Sequence, residues 1–410
     1  MIKSEKFSAL YYRDFRLFWV GQLISLSGTW MQSVALGWLA YSLTKSPFYL
    51  GLVAAAGTLP ILLFTLLGGL IADRLRKRNL ILMTQGLSII PALLLGILTD
   101  MDIITVWQVA LFAALLGTIN AFDWPARQSF FIEIVGKEHL LNAIALNSAA
   151  FNSASMIGPV IAGMTIAYIS LPACFYLNAL SFLATIIALS KMKTKGDIKG
   201  EPKGIIRDLL EGIQFVKSNS EIYGIIFLIA VFSLIGFPYI TFLPVFAVDV
   251  LNAGPDGLGF LVGAAGTGAL SAALFLAYRG DIKEKIAFIS LSAICFSFSL
   301  LIFSVSKDFY LSIITLLVVG LGTVSLRATA NSFIQLSVPD SLRGRVMSVY
   351  ALVFLGTAPI GNSLIGTLAN YVGIIKAVTI LAVICMVTSA IFYVKYLSNR
   401  DSPSDEKKVF

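Results

Sequence analysis

Charge is scarce in this sequence. Asp, Glu, Lys and Arg make up 13% of its 410 residues, about half the roughly 25% of a soluble globular chain. Histidine occurs once, as His139 in a polar connection. A zinc site or a Ser/His/Asp triad therefore lacks an evident set of partners, and an exposed loop histidine is the expected reading. Cys174, Cys295 and Cys385 all sit inside apolar runs without metal-ligand spacing, so they are expected to be small buried hydrophobes. No paired intramembrane acids, histidine cluster or activated Ser or Cys stands out, so neither catalysis nor a metal or other cofactor is expected. A cleavable leader is not evident either. Lys3, Glu5, Lys6, Arg13, Asp14 and Arg16 precede a long apolar segment, and that segment is expected to be retained.

What the chain has instead is apolar length. Hydrophobic residues make up 58% and the mean hydropathy is +0.88, more apolar surface than a water-soluble fold can hide. With lipid as solvent, every backbone N–H and C=O must pair internally, which leaves helices or closed barrels. Uninterrupted runs such as Leu52 to Ile71 and Val378 to Val394 read as helices, because barrel strands alternate apolar and polar positions.

Runs of roughly 20 apolar residues predict spans near 15–43, 48–72, 79–99, 103–123, 140–170, 172–190, 222–250, 257–279, 285–305, 309–330, 343–372 and 374–397. The formal charge of +8 would suit a nucleic-acid binder, but its distribution points elsewhere. With both termini on the cytoplasmic side, 27 of the 30 Lys and Arg residues fall there and only Lys45, Lys307 and Lys376 fall outside. That asymmetry is the positive-inside pattern, and it implies an even number of spans and no nucleic-acid partner. The expected fold class is an all-α membrane protein in the inner (cytoplasmic) membrane.

Residues 1–190 and 221–400 are expected to form two six-helix bundles, joined by a cytoplasmic linker at 191–220 and followed by a tail at 401–410. In the linker, Ile206, Leu209, Leu210, Ile213 and Val216 recur at helical spacing opposite Arg207, Asp208, Glu211 and Lys217. The pattern predicts an amphipathic helix, either on the membrane surface or packed beneath the bundle. The halves also repeat one another. Phe131-Ile132-Glu133-Ile134 aligns with Phe333-Ile334-Gln335-Leu336 at an offset of 202, and Ala55-Ala56-Gly57-Thr58 matches Ala264-Ala265-Gly266-Thr267.

Between the second and third spans the chain reads Gly68-Gly69-Leu70-Ile71-Ala72-Asp73-Arg74-Leu75-Arg76-Lys77-Arg78. Gly69 is a residue that lets two helices approach closely, and Asp73 at a helix end suits the positive N-terminus of a facing helix. This segment resembles the cytoplasmic loop signature of the major facilitator superfamily, departing from it at Arg76 where glycine is usual. The resemblance implies the major facilitator fold, twelve transmembrane helices in two pseudo-symmetric bundles. It also implies that Asp73 meets the start of the eleventh span near Leu342 to Val346 when the cytoplasmic side closes. Asp123, expected at the cytoplasmic end of span four, is then positioned to pair with Arg74 or Lys77.

Gly158-Pro159-Val160-Ile161-Ala162-Gly163 looks like a reduced form of the glycine-proline motif of the superfamily's exporters, although small residues and proline are also common in membrane helices generally. Gly28-Thr29-Trp30-Met31-Gln32, Leu43-Thr44-Lys45-Ser46-Pro47, Asn120 to Gln128, Leu141-Asn142-Ala143 and Arg343-Gly344-Arg345-Val346 resemble the branch containing the enterobactin exporter and macrolide efflux proteins. That branch implies export of small amphipathic molecules by a transporter of the drug/proton antiporter type.

Alternating access would place cargo near the midplane between the halves. Polar or aromatic residues costly against lipid are the candidates for its lining: Gln22, Ser25, Trp30, Gln32, Asn147, Asn152, Tyr239, Phe354 and Asn362, of which about a third is expected to face the cavity. No acid falls at the centre of a predicted span. Asp73, Asp123 and Glu133 gather at the cytoplasmic side, and Asp249 lies near the outer end of span seven. Asp73 and Asp123 are therefore expected to act as gating charges, with Gly69, Arg74, Lys77, Glu133, Gly158, Pro159 and Gly163 around them. Arg127 and Arg327 occupy similar places in the two halves and either complete this network, anchor phosphate headgroups or snorkel to lipid. The expected partners are a small-molecule cargo, protons and membrane lipids, with the chain a monomer. A lipid or lysophospholipid flippase on the same fold is the second expectation; a cavity open sideways to lipid with a basic rim would favour it.

Overall fold

The computed structural model describes residues 8–194, 196, 205–280 and 282–400. Among them there is helix and connection but no strand. Ten segments are long and apolar enough to cross a bilayer. One of these, Val106–Tyr168, is 63 residues long but breaks at Gly136, whose φ of 73° and ψ of 174° no helix accommodates and an L side chain resists. The break makes it two spans, and the 32-residue helix Arg13–Thr44, less apolar than the rest, brings the total to twelve. The chain is a multi-pass membrane protein.

In chain order the helices are α1 (Arg13–Thr44), α2 (Pro47–Arg74), α3 (Lys77–Asp100), α4 (106–135), α5 (137–168), α6 (Leu171–Ser190) and the linker helix α7 (Ile205–Ser218). The second set is α8 (Ser220–Val250), α9 (Gly254–Arg279), α10 (Lys285–Val305), α11 (Phe309–Ser337), α12 in two pieces (Asp340–Gly356 and Ala358–Val372) and α13 (Ile374–Arg400). Starts are set locally. Thr105 and Gln108 form a reciprocal capping box at α4, and Ser170, Asn219 and Asp308 cap α6, α8 and α11. α8 is irregular from Phe232 to Val250, alternating wide and tight turns around Pro238 and Pro244, each of which lacks the N–H that would continue the ladder.

Two expected boundaries move. The apolar runs predict an end at 123 for span four and at 330 for span ten, but α4 continues to 135 and α11 to Ser337. Asp123 thus lies twelve residues, about 18 Å, inside the helix end, and Arg127 and Arg327 sit within spans instead of in loops. His139, expected in a connection, belongs to the first turn of α5, where its Nδ1 is 2.9 Å from the Ser8 hydroxyl. The linker helix forms as expected, and of the two placements left open it takes the one beneath the second bundle. Val216 is buried, and Gly212 lies against the backbone of Arg345 at the start of α12.

The two faces differ in closure. The face at the start of α1, the α2–α3 connection and the end of α13, where most of the described Lys and Arg residues lie, is the basic face, and its opposite the far face. On the far side the bundles meet backbone to backbone. A methyl group added at Gly51 of α2 would lie 2.4 Å from the Asn362 carbonyl oxygen of α12, and one at Gly163 of α5 would lie 2.6 Å from the Pro255 carbonyl oxygen of α9. Tyr41 of α1 donates to Asp249 of α8, and Ser46 lies 3.3 Å from Asn370. Among the described residues no such glycine contact between the bundles is found towards the basic face, and Asp73 and Arg74 are exposed.

Replacing Gly163 by leucine is expected to open the far face. With Cys174, Cys295 and Cys385 replaced by alanine and one cysteine placed at Gly37 in the central cavity, labelling by an impermeant thiol reagent from the far side should rise by about tenfold or more, the ratio a population shift of about 1.4 kcal/mol gives. Unchanged labelling would show that closure does not rest on this contact.

Candidate functional site

Between the bundles lies a cavity of two adjoining lobes. The first, about 330 Å³, is walled mainly by α1, α2, α4 and α6; the second, about 320 Å³, by α5, α8, α9, α11 and α12. Trp30, Ile240, Thr241, Val262 and Asn362 line both. Each lobe is within the size range of pockets for drug-sized ligands. Small residues make the room: Gly117 of α4 packs directly on the Gly57 carbonyl of α2, and Gly320 of α11 on the Ala265 carbonyl of α9. A contact of the same kind therefore recurs between the equivalent helices of the two bundles, within a residue of the register of the sequence repeat.

Of the nine candidates for the lining, of which about a third was expected to face the cavity, six line it: Trp30, Gln32, Asn152, Tyr239, Phe354 and Asn362. Their polar groups are held by neighbours. Asn178 of α6 donates to Gln32 at 2.6 Å, and Thr241 donates to Asn362 at 3.0 Å. Gln22, Ser25 and Asn147 instead stitch the first bundle together, Gln22 donating to Asn147 at 2.7 Å and Ser25 to Gln85 at 3.2 Å. Sequence reading missed Thr84, Gln85 and Asn178. Their signal was present: each is a polar side chain inside an otherwise apolar run of α3 or α6.

Gln85 leads to an acid buried deep within a span. Asp123 of α4 accepts from Gln85 at 3.3 Å, from Thr84, and from the Arg127 guanidinium one turn along. Arg127 in turn lies over the Phe18 ring, 5.7 Å from its centroid. Asp123 does not make the expected pair with Arg74 or Lys77. Lys77 bonds Glu133 at 3.1 Å, both side chains almost fully buried, and Arg74 is exposed. The reason is the length of α4, which carries Asp123 well inside the bundle and leaves Glu133, nearer the helix end, to meet the loop lysine.

The loop motif is open. Among the described residues Asp73 has no hydrogen bond or ion pair, so its expected contact with the start of α12 is not formed in this state. A methyl group added at Gly69, assigned the close helix approach, would meet nothing within 4 Å, whereas one at Gly68 would lie 2.1 Å from the Ala121 carbonyl oxygen of α4. Successive residues on a helix point about 100° apart, and it is Gly68 that faces the neighbour. The exporter-like motif of α5 splits likewise: Gly158 packs on Ser27 and Trp30 of α1, while Pro159 and Gly163 meet Gly259 of α9 across the bundles.

At the corresponding place in the second bundle the acid is replaced. Arg327 of α11 lines the second lobe and lies over Phe354, with its Cζ 4.1 Å from the ring centroid. Four residues before it stands Thr323, where Arg127 has Asp123.

A family described as "Transmembrane secretion effector" matches residues 4–409. Among curated proteins, a staphyloferrin A transporter of Staphylococcus aureus is 25% identical, covering 92% of this chain and 95% of its own length. A multidrug efflux pump, Tap, of Mycolicibacterium fortuitum is also 25% identical, covering 85% of this chain and 87% of its own. Among solved structures, a bacterial homologue of the human lysosomal transporter Spinster, inward-facing and unoccupied, superposes with a TM-score of 0.71 at 13% identity, covering 96% of this chain and 99% of that one.

Asp123→Asn is expected to destabilise the protein by about 3–5 kcal/mol, because it leaves the Arg127 charge buried without its partner. Adding Arg127→Gln should recover most of that loss, as neighbours sharing one interaction are not additive. Unfolding in detergent, followed by heating, checks both; equal loss in the single and double variants would show that the pair does not act as a unit.

Proposed function

The chain belongs to the transmembrane secretion effector family and is an efflux transporter of the major facilitator kind, and from this we propose that it exports small amphipathic molecules by alternating access, coupled to proton antiport. The observation that carries the reading is the cavity between the bundles, closed at the far face by backbone contacts and without such closure at the basic face. The positive-inside pattern of the sequence supports a cytoplasmic basic face, cytoplasmic termini and an inner membrane. Cargo enters from that side and leaves when the bundles, residues 1–190 and 221–400, rock to open the far face. Residues 191–220 join them; the expected tail at 401–410 lies outside the described residues. One chain holds the whole cavity, so the monomer is the working unit.

Closing the cytoplasmic side brings the α2–α3 loop to α12. In that state Asp73 faces the positive start of α12 near Leu342 to Val346, Gly69 becomes the close-approach residue, and Arg74 joins the latch. Lys77 and Glu133 hold the loop base in both states. Asp123 is the proton carrier. Ionised, it neutralises Arg127; once cargo has left to the outside it accepts a proton, which frees Arg127, and it returns the proton to the cytoplasm when that side reopens. Trp30, Gln32, Asn152, Tyr239, Phe354 and Asn362 contact the cargo.

Proteoliposomes test this. An imposed pH gradient should drive uptake of an amphipathic dye, and Asp123→Asn should lower the driven rate about 5- to 150-fold, the range of ordinary coupling energies, while dye counterflow without a gradient persists. Asp73→Asn should slow driven transport and counterflow together. Wild-type pH-driven transport in Asp123→Asn would sink the coupling role, and unchanged transport in Asp73→Asn the latch.

A further inference from the structure

Arg327 is the only charged residue lining either lobe, and no Asp or Glu lines them among the described residues. A guanidinium at membrane depth is costly unless paired, and in the first bundle Arg127 meets that requirement with Asp123. Arg327 has no such partner: its side chain makes no hydrogen bond or ion pair to a described residue. The position one turn earlier holds Thr323, whose hydroxyl is spent on the Val319 carbonyl at 2.8 Å.

The guanidinium is nevertheless held in place. It rests on the Phe354 ring, Phe354 stacks with Tyr350 at an interplanar angle of 12°, and the Tyr350 hydroxyl donates to the Arg327 carbonyl at 3.3 Å. None of its nitrogens is among the buried, unbonded polar atoms of the protein; they open onto the lobe. A positioned cation with free donors, in a cavity otherwise apolar and aromatic, lacks only an anion.

We propose that Arg327 is the anion-recognising residue of the cavity, and that the cargo carries a carboxylate or similar oxyanion on an apolar body. The planar fork of the guanidinium suits two oxygens of such a group. Phe237, Tyr239, Phe151 and Trp30 in the same lobe take the apolar remainder. The inference rests on the exporter reading for the word cargo, but the site itself is a binding property.

The test is equilibrium binding to the purified full chain in neutral-lipid nanodiscs, read by polarisation of two dyes of similar ring system: fluorescein, an anionic carboxylate, and rhodamine 6G, a cationic ester. Fluorescein should bind the wild type more tightly than rhodamine 6G. Arg327→Gln should weaken fluorescein about 10- to 100-fold, the affinity ratio of a charge-assisted bidentate contact, and leave rhodamine 6G unweakened. Arg327→Lys, which keeps the charge and folds without a new unpaired group, should fall between. Equal fluorescein binding in wild type and Arg327→Gln, tighter binding of rhodamine 6G to the wild type, or no fluorescein binding at all would overturn the proposal. So would displacement of fluorescein by phosphatidylglycerol added to the nanodiscs, which would assign the guanidinium to a lipid headgroup. Proteoliposomes separate the two readings. Arg327-dependent fluorescein binding without transport of either dye would defeat the exporter reading alone, and transport of rhodamine 6G with Arg327-independent binding would defeat the anion site alone.

Discussion

Lipid offers the peptide backbone no hydrogen-bonding partner, so each span must satisfy itself as a helix, and helices must then hold together without the drive of apolar burial from water. This chain does so by backbone contact at small residues. Gly57 with Gly117 and Ala265 with Gly320 fix helices within each bundle, while Gly51 with Gly366 and Gly163 with Gly259 join one bundle to the other. The second kind of contact is mostly dispersion, with two side-chain hydrogen bonds, from Tyr41 to Asp249 and between Ser46 and Asn370, added at the far face. A seam of that sort is tight when formed and leaves few polar groups unmatched when it parts.

Charge is handled differently in the two bundles. In the first, acid and base sit one turn apart on α4, wrapped by Thr84, Gln85 and an aromatic ring. In the second, the base remains and the acid is gone. The pseudo-symmetric frame thus carries unlike electrostatics: one half balances its own charge and the other presents a charge to whatever occupies the cavity. Duplicated architecture and divided labour are compatible because the frame is set by glycines and apolar packing, neither of which depends on these side chains.

The fold was largely legible from the sequence. Long apolar runs mark the spans, and the near absence of Lys and Arg from alternate connections orders them. The ends of α4 and α11 were not legible, because Asp123, Trp124, Pro125 and Arg127 look the same whether they form a loop or a buried pair at helical spacing. Adjacent Gly68 and Gly69 pose a similar ambiguity: only the helix's rotational setting decides which one touches a neighbour. Lining residues were easier, since an asparagine or tryptophan far from water has few places to go. Trp30 and Asn362, named on that ground, line both lobes, while Gln22 and Asn147 satisfied each other instead.

The connection between the bundles is anchored at both ends. Asp14 at the start of α1 accepts from the backbone of Lys193 and Thr194, and Gly196 lies against Glu133 and Lys77. Beyond it, Glu211 and Gly212 of α7 hold to Arg345. From Gly196 to Ile205 the chain has nine peptide links, which reach about 32 Å at full extension. However far the two halves move, those anchored points can never part by more than that contour length.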